Sequence, residues 1–125
     1  EDPLARTVAQ YAALLASSLS VAEAADLLGV HPSRIRQRLG ARTLYGIKAA
    51  GEWRLPRFQF DHGGPLPGLG TVLPRLNREL HPVAVYHWFT LPDPDLVPDD
   101  RQLSPRDWLR SGQPAGVVAA IAADL

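Results

Sequence analysis

The tightest constraint on this chain is a run of helix punctuation between Ser20 and Leu39. Ser20-Val21-Ala22-Glu23 is a capping box: the serine hydroxyl accepts from the third amide while the glutamate reaches back to the serine amide. Val21, Ala24, Ala25 and Leu28 then share one face. Gly29 stops the helix, because it takes positive φ without steric cost. His31-Pro32-Ser33 restarts the chain with proline at the first helical position. The next helix, Pro32–Leu39, turns Ile35 and Leu39 inward and Ser33, Arg34, Arg36, Gln37 and Arg38 outward. Two short helices joined by a glycine turn make a helix-turn-helix. The small Ala25 lets the second helix approach the first, and Val30 and Ile35 fill the angle between them. Arg38 stands where an apolar residue is usual, with Leu39 one step on. This spacing alone also fits an αα-hairpin in a helical protein.

The next residues point to a wing. Leu44–Ala49 and Glu52–Leu55 are short β-like runs separated by Ala50-Gly51, which supplies turn geometry. Tyr45, Ile47 and Ala49 alternate with Lys48, and Trp53 and Leu55 alternate with Glu52 and Arg54. Pro56 confines the second run to a sheet edge. A hairpin directly after a helix-turn-helix is a wing.

Charge reinforces this reading. The chain has thirteen basic and thirteen acidic residues, so it is formally neutral. Residues 1–30 carry one base and four acids, residues 31–60 seven bases and one acid, and residues 61–125 five bases and eight acids. The positive block therefore coincides with the second helix and the wing, and points to a polyanion. A merely solvated basic face is the alternative. In a winged helix-turn-helix on DNA, the second helix enters the major groove and meets base edges. Ser33, Arg34, Gln37 and Arg38 form that face here. Arginine pairs with guanine and glutamine with adenine, each worth about 1–3 kcal/mol of discrimination. Arg36, Arg42, Lys48, Arg54 and Arg57 are expected as phosphate contacts. Alternatively, Arg36 or Arg57 pairs with Glu23 or Asp26.

At 125 residues and 46% hydrophobic composition, the chain has material for one domain or two very small ones sharing a core. The expected fold is mainly α with a small β-hairpin wing: a winged helix-turn-helix over residues 1–62, then a small helical domain over 63–125. Before the helix-turn-helix, residues 3–17 read as a helix with Leu4, Val8, Tyr11 and Leu15 in one apolar stripe. Residues 61–67 read as a loop or hinge. A helix follows across 68–78, kinked or broken at Pro74. His81-Pro82 opens another through Thr90, whose Val83, Val85, Tyr86, Trp88 and Phe89 cover more than one face, so both sides are expected to be buried. Ser104-Pro105-Arg106-Asp107 caps a helix ending at Gly112, and Pro114–Asp124 is an alanine-rich last helix.

Several chemistries are excluded or unsupported. With no cysteine there is no disulfide, thiolate metal site or cysteine nucleophile. Phosphate-loop, dinucleotide and nucleophile-elbow motifs are absent. His31, His62, His81 and His87 lack metal-ligand spacing, so no metal and no cofactor are expected. Asp93, Asp95, Asp99 and Asp100 read as a solvated acidic loop. A small enzyme would need an unrecognised constellation around His87, Asp93 and Asp95. No run is long enough to span a bilayer and no signal segment is evident, so a cytoplasmic protein without membrane contact is expected.

Residues 20–60 resemble excisionase and MerR-type winged-helix modules, through Ser20–Leu28, Gly29-Val30 and the Trp53-Arg54-Leu55-Pro56 wing. The second half resembles the toxin-binding domain of Xre/MbcA/ParS-type antitoxins. The matching stretches are Leu66-Pro67-Gly68-Leu69 with Val72-Leu73, then Val85–Phe89 running into Leu91-Pro92-Asp93-Pro94-Asp95-Leu96, then Ser104–Gly112 before a last helix. Typical members have an all-helical first domain, whereas this chain reads as winged. The resemblance implies a DNA-binding antitoxin that represses its own operator and neutralises a RES-type, NAD-degrading toxin. It implies partner contacts at Trp108, Leu109, Arg110 and Gly112 and along the last helix, including Val117 and Ile121. Trp88 is expected in the core, and Trp108 fits core or interface equally. A homodimer is expected because operators commonly have two half-sites. The competing reading is a stand-alone transcription or nucleoid regulator whose second half only dimerises.

Overall fold

A computed structural model describes residues 2–125. The fold is mainly helical with a small antiparallel wing. Helix α1 (Pro3–Ser17) starts at Asp2, whose carboxylate accepts from the Leu4 amide at 3.1 Å. It ends where the Ser18 hydroxyl donates to the Leu14 carbonyl at 2.7 Å. Its expected stripe is buried only in its second half. Leu14 is buried, Tyr11 and Leu15 pack on the core, but Leu4 and Val8 are 70% and 60% exposed. Tyr11 meets His81, the residue capping helix α5 (Pro82–Thr90), edge-on at 5.2 Å.

Helix α2 (Val21–Leu28) carries the full capping box. The Ser20 amide, donating to Glu23 at 2.8 Å, holds that carboxyl below its ordinary value of 4.5. This support is therefore present above that pH and is lost as the carboxyl protonates. Gly29 adopts φ 66°, and the Val30 amide reaches the Ala25 carbonyl at 3.0 Å, a Schellman ending. Helix α3 (Pro32–Gly40) packs on α2 with Ile35 and Leu39 buried and Ala24 and Ala25 beneath. Strands β1 (Ile47–Ala49) and β2 (Glu52–Arg54) pair antiparallel around Ala50-Gly51. Both turn residues have positive φ, 51° and 79°, the mirror-image turn that matches strand twist. One further bridge, Leu19 with Leu55, extends the hairpin to the link between α1 and α2, with both hydrogen bonds at 2.8 Å.

The segment after the wing joins the two halves. Residues 57–59 make a 3-10 turn with Phe58 and Gln59 buried. Phe58 packs on Tyr45, Tyr86 and Phe89, with ring centroids 5.9, 5.9 and 5.3 Å away. Gln59 is fully buried; its amide oxygen accepts from the Tyr45 amide and its nitrogen donates to the Tyr45 and Pro56 carbonyls. The expected loop at 61–67 contains a tight hairpin, β3 (Phe60–Asp61) with β4 (Gly64–Pro65).

The second half is short helices. Helix α4 (Leu69–Val72) gives way to a 3-10 turn at Leu73–Arg75, so Pro74 ends the α-helix rather than kinking it. Gly68 at φ 83° lets α4 meet helix α7 (Ala115–Ala123), since an added Cβ would lie 2.5 Å from that of Ala115. In α5, Val83, Val85 and Phe89 are buried and Trp88 packs on the core, while Tyr86 stays exposed. Helix α6 (Pro105–Arg110) is capped by Ser104, which accepts from Asp107 at 3.0 Å. One hydrophobic cluster runs through Leu14, Ile35 and Leu55 of the first half and Leu69, Phe89, Leu109 and Val118 of the second. The boundary expected at 62/63 thus falls within a shared core.

Replacing Gln59 by leucine would remove the partner of the part-buried Tyr45 N–H and C=O and of the buried Pro56 C=O. Gln59→Leu is expected to cost about 2–4 kcal/mol of unfolding free energy, read by urea denaturation.

Candidate nucleic-acid interface

His31 caps α3 with its Nδ1, which accepts from the Ser33 amide at 3.1 Å and lies 2.9 Å from the Ser33 hydroxyl. This fixes the first turn, the part of a recognition helix that reaches deepest into a groove. Beyond it, burial of Ile35 and Leu39 one turn apart sets the rotation of the helix. Ser33, Arg34, Arg36 and Gln37 are exposed and Arg38 is half-buried. Ser33, Arg34, Gln37 and Arg38 lie at positions i, i+1, i+4 and i+5, hence on one face, with Arg36 on its flank.

The wing adds Lys48, whose ammonium stands 4.7 Å from the centre of the Trp53 ring. Arg54 lies 3.6 Å from Glu52, a pair too exposed to hold it firmly. The register sets Trp53 opposite Lys48, on the face away from Ile47 and Arg54, with its half-buried ring packed against the core. Counting outward from the two-residue Ala50-Gly51 turn gives that pairing directly. Trp53 packs beside Gly46, where an added Cβ would lie 2.6 Å from Leu39 Cδ2 and 2.8 Å from Trp53 Cε3.

Two basic residues of the expected phosphate set have structural duties. Arg42, half-buried at φ 58°, donates from Nη1 to the Leu76 carbonyl at 3.1 Å. It ties the end of α3 to the second half. Arg57 remains exposed but donates from Nε to the Ser17 carbonyl at 2.6 Å, closing the end of α1 rather than pairing with Glu23 or Asp26. Lys48, Arg54, Arg34, Arg36 and Arg38 make no hydrogen bond through their side chains to other described residues.

The expected partner-binding residues separate likewise. Trp108 and Leu109 are 8% and 1% exposed, and the Trp108 indole donates to the Pro114 carbonyl at 2.8 Å. Both lie in the core, which for Trp108 is one of the two alternatives the sequence left open; α6 packs on α5, and the indole bond reaches the residue that starts α7. Arg110 and Val117 are exposed, Gly112 makes an exposed turn at φ 82°, and Ile121 is half-buried. Arg110 pairs with Asp107 at 3.3 Å.

Among the described residues, no group of three His, Asp or Glu could hold a metal. No helix among them is long and apolar enough to cross a membrane. No family model matches the chain, and no curated protein does. The solved NMR structure of Rv2175c is similar, with a TM-score of 0.58 and 26% identity over 84% of this chain and 80% of that one. Neither half of the chain alone reaches that coverage, so the likeness spans both.

Gly46→Ala is expected to push Trp53 from its seat on Leu39. The measurable result is a loss of about 1–3 kcal/mol on unfolding and a red-shifted tryptophan emission in the folded state.

Proposed function

We propose that this chain is a winged helix-turn-helix DNA-binding protein, reading a major-groove sequence with α3 and gripping the flanking backbone with the wing. The observation that carries the reading is the outer face of α3. Its four exposed polar residues include two arginines and a glutamine, and the helix contains no acid. Arg34 and Gln37 are assigned to base edges, with Ser33 and Arg38 beside them. Arg36, Lys48 and Arg54 are assigned to phosphates, with Arg38 shared between the roles. Arg57 contributes its remaining donors at the margin, and Arg42 is left out.

Four phosphate contacts give a log–log dependence of affinity on salt with a slope of about −4 on duplex DNA. Arg34→Ala should relax sequence preference, whereas Arg54→Ala should weaken all sequences alike and reduce the slope by about one. Fluorescence anisotropy with specific and scrambled duplexes checks both. Affinity that ignores salt, or no binding at low salt, removes the proposal.

The finer reading is an antitoxin. It rests on the resemblance of residues 66–112 to the toxin-binding domain of Xre/MbcA/ParS-type proteins. The partner would be a RES-type toxin, met by Arg110, Gly112, Val117 and Ile121, with Trp108 and Leu109 supporting that surface from beneath. Co-expression with the product of the neighbouring open reading frame tests it: the two should co-purify, and cellular NAD should be preserved. If DNA binding stands but no such partner is captured, the chain is a stand-alone regulator whose second half joins two copies across paired half-sites.

A further inference from the structure

A cleft of about 360 Å³ opens between the wing and the second half, a size typical of small-ligand sites. Its floor is apolar, with Leu39, Ile47 and Leu73 among the lining residues. Its walls bring together three cations from distant parts of the chain: Arg42 after α3, Lys48 on β1 and Arg78 before α5. Among the described residues no acidic side chain lines it. Arg42 is held there by a left-handed backbone, φ 58°, a strained conformation for a residue with a side chain. Only its Nη1 is used, on the Leu76 carbonyl. Burial, and then the like charge of Arg78, push the Arg42 pKa below its ordinary value. Two guanidiniums lining one partly desolvated cleft are stabilised by an anion between them. Flat surface is also present: Trp53 lines the cleft, and so does Tyr45, whose half-buried phenol is pushed up to about 12 by desolvation and stays a neutral hydrogen-bonding group.

We propose that this cleft is a binding site for a small organic anion, its carboxylate or phosphate seated between Arg42 and Arg78 and its planar apolar body against Trp53 and Leu39. The proposal does not require the chain to bind DNA. A phosphate of the DNA backbone has the same anionic chemistry, and the test separates the two sources.

Naphthyl phosphate carries both the charge and the flat body, naphthol only the body, and inorganic phosphate only the charge. Titrated into the full chain by calorimetry and amide NMR, naphthyl phosphate is expected to saturate one site below about 1 mM. The largest shifts are expected at Gly46 and the Trp53 indole. Naphthol and inorganic phosphate should each bind about tenfold more weakly or worse. Arg78 is exposed, so Arg78→Ala and Arg78→Glu should fold, as checked by circular dichroism. They should weaken naphthyl phosphate by about threefold and tenfold, while Arg101→Glu, outside the cleft, leaves it unchanged. Absence of a saturable site, equal binding of naphthol, or indifference to both Arg78 variants overturns the proposal. So does a duplex that displaces naphthyl phosphate and loses the same factor on Arg78→Glu, because the cleft is then a seat for DNA phosphate. A duplex that binds alongside naphthyl phosphate supports the small-anion site.

Discussion

Gln59 has no solvent exposure, and its three hydrogen bonds all go to backbone groups of Tyr45 and Pro56. A buried primary amide is costly unless its donors and acceptor are matched. Here it acts as a one-residue strand, filling the pairing that Tyr45 lacks just before β1 begins. The residues around it extend the junction. Phe58 stacks into the aromatic group of α5, and the carbonyls of Phe58 and Phe60 accept from the Arg106 guanidinium, both at 2.9 Å. Leu55 pairs with Leu19 on the other side. Residues 55–60 thereby bind α1, the wing, α5 and α6 into one body, and the orientation of α3 relative to the wing follows from them.

That dependence explains what was legible in the sequence. Helix limits are local: Ser20 with Glu23, Gly29, His31-Pro32, His81-Pro82 and Ser104-Pro105 each act within one turn, and all of them cap or end helices where expected. The exposed face of α3 was legible for the same reason, since Ile35 and Leu39 fix its rotation. Burial elsewhere depends on what lies opposite. Leu4 and Val8 complete a perfect stripe yet remain exposed, because no element among the described residues covers the first turns of α1. Trp108 and Leu109 carried the resemblance to a partner-binding surface but lie in the core, because α6 packs on α5 and the Trp108 indole is tied to Pro114 at the start of α7. Gln59 gave no sequence signal, for a glutamine after a proline-bounded turn reads as solvent-facing.

Neutral net charge says little about what such a chain can bind. The basic block over residues 31–60 places Arg34, Arg36 and Lys48 on the outside of one small region. The aspartates of residues 93–100 are far along the chain, in a loop organised by backbone bonds between Asp93, Leu96 and Leu103. Fields at a surface depend on local distribution, and beyond about 10 Å ordinary salt screens the remainder.

Segment charge nevertheless overcounts the surface available to a partner. Arg42, Arg57 and Arg106 all donate to carbonyls at places where regular structure stops: Leu76 after a 3-10 turn, Ser17 at the end of α1, Phe58 and Phe60 beside a two-residue strand. A fold built of short elements has many such ends, and each leaves acceptors without intrahelical or ladder partners. A guanidinium with five donors on a long arm is well suited to reach them. In a chain of short helices, then, arginine content measures two demands together. The arginines whose donors stay free of that duty stand where the neighbouring backbone is already satisfied, as on the outer face of α3 and on the wing hairpin.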